Sequence, residues 1–169
     1  YSLSDENLIR KAYSLSTPMG GDLITDNQIS PTFLIWAVSD PLSNKLQRSQ
    51  VVKGWVENGA HNEKVFDVAC SDGLKVDPIT HRCPDNGAEV NLNDCSTTAN
   101  LGASELKTFW KDPEFNSDMN AFYYVRVIEN PSCRWSTWDA VRNGEKPRSD
   151  IDSVIQERAW SSPIWIKSS

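Results

Sequence analysis

The chain has only two histidines, His61 and His81, among 169 residues. A Ser-His-Asp hydrolase needs a nucleophile held against an oriented histidine, and no Gly-X-Ser-X-Gly segment accompanies either one. Cys-X-X-Cys spacing is absent too, which removes the standard zinc ribbons and redox motifs. The longest clear apolar run, Phe33-Leu34-Ile35-Trp36-Ala37-Val38, is far short of a membrane span. Basic residues number 17 against 23 acidic ones, for a net charge of −6. They are scattered, so no nucleic-acid footprint forms. Neither nucleic acid nor a membrane is an expected partner. Met19-Gly20-Gly21-Asp22 lacks the lysine and the preceding strand of a phosphate loop and reads as a backbone turn. No signal peptide is visible, and the chain begins at Tyr1 rather than Met. The expectation is a piece of a longer polypeptide.

What is present is β-forming. Apolar residues make up 38% and charged residues 24%, a globular balance. Seven tryptophans offset the thin aliphatic supply. Five buried indoles would hide ~1,000 Å², or ~25 kcal/mol of gross hydrophobic free energy. Tyr123-Tyr124-Val125-Arg126-Val127 reads as a strand, and so does the stretch from Arg158 to Ile166. Together they form the closing pair of a small antiparallel domain. Phe33–Val38 is a further strand, apolar on both faces. The spacing predicts a hairpin of 50–57 and 64–70 around Asn58-Gly59. Residues 104–111 lean towards strand, and 120–129 form a strong one. Ser4 or Asp5 should cap a short first helix, ending near Ser16 before Pro18. Ser136 should cap a second over 137–142, stopped by Gly144. Residues 71–100, rich in Asp, Asn, Pro, Gly and Thr, predict an irregular loop that something must tie down.

The fold expected is mainly β: an immunoglobulin-like antiparallel β-sandwich with one or two short helices and a long disulfide-tied loop. Residues 1–31 would be an N-terminal arm, and 32–169 the sandwich. Four cysteines favour disulfides and a periplasmic or extracellular location. The favoured pairing is Cys83–Cys95 with Cys70–Cys133, on sequence proximity and strand position.

Candidate sites are few. His81 lies near Asp77, Cys83, Asp85 and Cys95, but the spacing matches no zinc pattern. Asp85, Glu89, Asn91, Asn93 and Asp94 offer hard oxygens without calcium-loop ordering. A solvated acidic loop is the simpler reading. Trp135, Trp138 and Trp160 would suit carbohydrate or polymer stacking if exposed together. Phe122, Tyr124, Trp36 or Trp55 facing outward would form an apolar patch of the kind that marks interfaces.

Several ordered segments resemble the C-terminal part of a bacterial family, domain of unknown function 3604. They include Pro18-Met19-Gly20-Gly21-Asp22-Leu23, Phe33-Leu34-Ile35-Trp36-Ala37, Val51-Val52-Lys53-Gly54-Trp55, Trp110-Lys111-Asp112-Pro113-Glu114-Phe115, Ala121-Phe122-Tyr123-Tyr124-Val125-Arg126-Val127 and Gln156-Glu157-Arg158-Ala159-Trp160-Ser161-Ser162-Pro163-Ile164-Trp165. The resemblance implies a parent protein similar to metal-dependent hydrolases of the polymerase-and-histidinol-phosphatase (PHP) type. Its His- and Asp-rich motifs, and any divalent metal, would lie upstream. No catalytic residue and no cofactor carries over to this chain. The expected role is therefore a non-catalytic accessory domain whose partner is the upstream domain of the same polypeptide. Met19, Gly20, Gly21 and Asp22 are the expected contact, and self-association is the other partnership considered.

Overall fold

The computed structural model describes residues 2–25 and 30–168. Tyr1 and residues 26–29 of the arm lie outside the described residues, as does Ser169. Strands hold 43% of the chain, which makes the fold mainly β. The elements run α1 (Leu8–Leu15), β1 (Asp22–Thr25), β2 (Thr32–Val38), β3 (Leu46–Glu57), β4 (Ala60–Cys70), β5 (Val90–Asn91), β6 (Ser96–Thr97), β7 (Glu105–Lys111), β8 (Ala121–Cys133), α2 (Trp135–Asn143), β9 (Val154–Trp160) and β10 (Ile164–Ser168).

Six strands form one open sheet in the order β1-β10-β8-β3-β4, with β9 also on β8. The long β8 explains this branching. Its first residues pair with β10, Tyr123 opposite Ile164, and its later ones with β9, Val127 opposite Ala159. The expected closing pair is thus present, but Ser161-Ser162-Pro163 splits its second member into two strands. Pro131 is accommodated because a register shift lies between Ile128 and Pro131. The β3–β4 hairpin closes through Asn58 and Gly59, both at positive φ (52° and 78°), the geometry a two-residue turn of that hand requires.

The sheet is mixed rather than purely antiparallel. β1 runs parallel to β10, Leu23 beside Ile166, so part of the arm is the sheet's edge strand. A two-stranded ribbon, β2 with β7, covers one face. The core lies between the layers: Ile35, Val51, Phe66, Val68, Ala121, Tyr123 and Ile166, with Leu23, Phe33 and Trp110 against it. Phe33 meets Tyr123 at 4.9 Å and Phe66 meets Trp110 at 5.3 Å between ring centroids.

Three local expectations are corrected. Helix α1 starts after Asn7, without a side-chain cap. Asp5 instead accepts the Asn7 N–H at 2.9 Å and pairs with Lys11 at 2.5 Å. Helix α2 begins at Trp135 behind Arg134, two residues earlier than a Ser136 cap allows; Gly144 ends it at φ 69° as expected. The indoles are the larger correction. Trp135, Trp160, Trp165 and Trp36 are 73, 60, 46 and 40% exposed, and the other three are only half-buried. Trp165 and Trp160 fall on the sheet face opposite the ribbon, where Val52 and Gln50 are nonetheless buried.

The disulfides also differ from expectation: Cys70 bonds Cys83, and Cys95 bonds Cys133. After β4 the chain doubles back. Asp67 donates its N–H to His81 O at 2.9 Å, and Cys83 donates its own to Asp67 Oδ2 at 2.7 Å. That seats Cys83 beside the end of β4, next to Cys70. Cys95 sits between the short strands β5 and β6, bonded to the residue that ends β8. Two disulfides fit an oxidising, non-cytoplasmic environment.

Candidate functional site

Alternation along β8 puts Phe122, Tyr124 and Arg126 on the face turned away from the core. Opposite them stand Trp165 on β10, Gly54 and Val52 on β3, and Trp160 on β9. Gly54 is what lets the strip form. A Cβ there would fall 2.2 Å from Phe122 Cζ, so only glycine leaves room for the ring. Phe122 lies nearly parallel to Tyr124 (centroids 6.4 Å, planes 9° apart) and meets Trp165 at 5.2 Å. Exposed Val56 and Ile24 extend the same face at its flanks.

The turn at 18–22 adjoins this strip. Gly21 donates to Pro18 O at 3.1 Å and Gly20 to Pro163 O at 2.8 Å, while Trp165 donates to Gly21 O at 3.0 Å. Lys167 pairs with Asp22 at 2.6 Å. Met19 is exposed. Met19, Gly20, Gly21 and Asp22 are therefore fastened to the strand that carries Trp165. Expected contact turn and aromatic strip form one continuous surface.

The other sequence candidates disperse. Trp36 stands on the ribbon with Lys107 Nζ 4.0 Å above its ring. Trp55 packs against the core, 5.3 Å from Lys53 Nζ. Neither joins Phe122 and Tyr124. Trp135 opens α2, and Trp138 carries the Arg142 guanidinium 4.9 Å over its ring. Cys133, just before α2, pairs with Val154, whereas Trp160 ends β9. The length of β9, ~20 Å at 3.3 Å per residue, separates Trp160 from the α2 indoles.

His61 is exposed on β4 opposite Val56, and the His81 ring rests on Phe66 at 5.2 Å. The cysteines are all in disulfides. The acidic loop residues serve their own turns. Asp77 Oδ1 accepts the Ile79 and Thr80 N–H groups at 2.9 and 2.7 Å. Asp85 accepts Gly87, Asn91 accepts Asn93, and Asp94 accepts Ser96; Glu89 accepts Thr98 through its backbone carbonyl. Among the described residues no three His, Cys, Asp or Glu side chains are placed to share an ion.

One buried cluster escaped the sequence reading. Lys53 reaches Asp112 Oδ2 at 2.5 Å and Glu114 O at 2.8 Å, with both side chains almost fully buried. The Tyr123 hydroxyl donates to Asp112 Oδ2 at 2.8 Å. Burial first, then that hydrogen bond, raises the Tyr123 phenol above its usual range. The cluster fastens the end of β7 to the sheet. Its only sequence signal is one lysine among Val51, Val52, Gly54 and Trp55.

A family model described as "Protein of unknown function (DUF3604)" matches residues 1–168. No curated protein and no solved structure matches the chain.

Proposed function

We infer a role from one premise: the chain belongs to the DUF3604 family. That role is a non-catalytic accessory domain, docked on an upstream domain that resembles PHP-type metal hydrolases. The upstream domain supplies the divalent metal and the chemistry. The observation that carries the reading is the continuity of the 18–22 turn with the Trp165–Phe122–Tyr124 strip. An immunoglobulin-like sandwich fold belongs to the same proposal. The ribbon packed over the sheet supports it, and the parallel β1–β10 pair departs from it. So does a periplasmic or extracellular setting, supported by the two disulfides. The polymer-binding alternative rests on Trp160 alone, since the α2 indoles stand apart from it.

The test is association of this chain with the separately produced upstream domain, followed by Trp fluorescence. Trp165→Ala should weaken binding by about 30-fold if the indole is a central anchor. Unchanged affinity in Trp165→Ala and Phe122→Ala would refute the docking face. Stoichiometric Zn or Mn in this chain, with phosphoester turnover, would refute the accessory role.

A further inference from the structure

We propose that Asn58-Gly59 is a self-modification site, at which the chain converts its own asparagine to aspartate or isoaspartate. The reaction needs only water. The Gly59 amide nitrogen gives its proton to hydroxide and attacks Cγ of Asn58. The new N–Cγ bond closes a five-membered imide as the Cγ–Nδ2 bond breaks and ammonia leaves. Water then opens one of the two imide carbonyls. Attack at one gives aspartate. Attack at the other gives isoaspartate, whose main chain is longer by a methylene. No oxidant or reductant takes part.

The argument is a comparison within the molecule, because the chain holds three Asn-Gly pairs: 58–59, 86–87 and 143–144. Asn86 is locked. Its Nδ2 donates to Asp72 Oδ2 at 3.0 Å and Asn130 Oδ1 at 2.9 Å, and its Oδ1 accepts from Gln47 Nε2 at 2.9 Å. The attacking nitrogen is also engaged there, since Gly87 donates to Asp85 Oδ1 at 3.1 Å. Asn143 is the last residue of α2, and the Gly144 N–H is held by Val141 O at 3.2 Å. Only at 58–59 do both the side-chain amide and the glycine N–H lack a hydrogen-bond partner among the described residues. Asn58 is exposed, and nothing lies within 4 Å of where a Gly59 Cβ would stand.

The turn sets the pace. Asn58 holds a left-handed φ of 52°, and ring closure requires the backbone to leave that conformation. Hairpin tips open at small free-energy cost compared with strand interiors. The product adds a negative charge beside Glu57, and the isoaspartyl form lengthens a turn whose register depends on two residues.

The experiment incubates the folded, disulfide-intact chain at mildly alkaline pH. Peptide mapping by mass spectrometry and isoaspartyl methyltransferase labelling follow the products. Asn58 should react at least about fivefold faster than Asn86 or Asn143, the ratio expected for one engaged hydrogen bond. Denatured and reduced, the chain should lose that preference. Asn58→Gln should remove the fast phase and leave the circular dichroism of the fold unchanged. Equal rates at the three sites in the folded chain would overturn the proposal. So would earlier reaction at Asn143, or a folded Asn58 that stays intact while the unfolded chain is modified.

Discussion

Replacing Asp112 by Asn tests whether one buried charge pair holds the two layers together. Lys53 Nζ and Asp112 Oδ2 are 2.5 Å apart, with side chains 4 and 0% exposed. The substitution keeps the shape and retains an acceptor for the Glu114 N–H, which Asp112 Oδ1 now accepts at 2.8 Å. It leaves the Lys53 ammonium buried with the Glu114 carbonyl, 2.8 Å away, and the faces of Trp55 and Tyr123, but with no counterion beside it among the described residues. Removing one partner of a buried pair costs about 3–5 kcal/mol, because the survivor's charge stays desolvated. Against a typical net stability of 5–15 kcal/mol that is a large share. With a urea slope of about 2 kcal/mol/M, the midpoint should fall by about 2 M. Urea titration with both disulfides intact, read by tryptophan fluorescence, measures it. The double variant Lys53→Met with Asp112→Asn removes the charge altogether and should recover most of the loss, since neutral replacements of buried pairs are often tolerated. A single-variant cost below about 1 kcal/mol would refute this reasoning. So would a double variant as unstable as the two single costs added together.

Gly54→Val should drive Phe122 from its seat, because the added Cβ meets Phe122 Cζ at 2.2 Å. An overpacking cost of about 1–3 kcal/mol is expected in thermal melts, relieved when Phe122→Ala is introduced with it. Tyr123 titrates above the usual tyrosine range, so the folded chain binds its phenolic proton more tightly than the unfolded chain. Stability from this group is complete below pH about 10 and is lost as pH rises beyond it. Tyrosinate absorbance from Tyr123 should therefore appear together with unfolding, and Tyr123→Phe should abolish that component. Asp77 is held below its usual value by the N–H groups of Thr80 and Ile79, then by the Thr80 hydroxyl. A depressed folded value means stability fully present above the unfolded value of about 4 and lost as pH falls from there through the lower folded value. Amide exchange at Ile79 and Thr80 should accelerate there relative to Asp77→Asn, which has no such titration.

The parts of the fold legible in sequence are those set by near neighbours. The Asn58-Gly59 turn and the alternation on either side fix the β3–β4 hairpin within a few residues. Period-two patterning likewise places Phe122 and Tyr124 on one face of β8. It does not say which face the ribbon covers. That depends on β2 and β7, which are separated in sequence and join only through long-range pairing. Hence indole burial is not legible in the pattern: Trp160 and Trp165 lie exposed on the face opposite the ribbon. Strand β1 was hidden for a related reason. Its four residues carry a weak pattern, and its partner β10 begins at Ile164, near the other end of the chain. Lys53 and Asp112 are 59 residues apart, so a lone lysine in an apolar strand gave no indication of its counterion.

The disulfides show most directly why proximity in sequence is a poor guide in this molecule. Cys83 and Cys95 are near neighbours along the chain, yet the segment between them holds Asn86, whose amide reaches Gln47, Asp72 and Asn130. Gln47 belongs to β3 and Asn130 to β8, while Asp72 follows β4 and accepts the Gly102 N–H at 2.9 Å. Asn86 thus ties the middle of the loop to β3, to β8 and to the turn that follows β4. The halves of the loop leave this hub separately, Cys83 beside the end of β4 and Cys95 to the end of β8. In the chain-entropy account, closures spanning 13 and 38 residues contribute about 3 and about 4 kcal/mol. A loop with so little apolar material is ordered by amide hydrogen bonds and two covalent ties instead of by burial. That is how a chain with only 38% apolar residues can keep indoles at its surface and still hold a long polar segment in place.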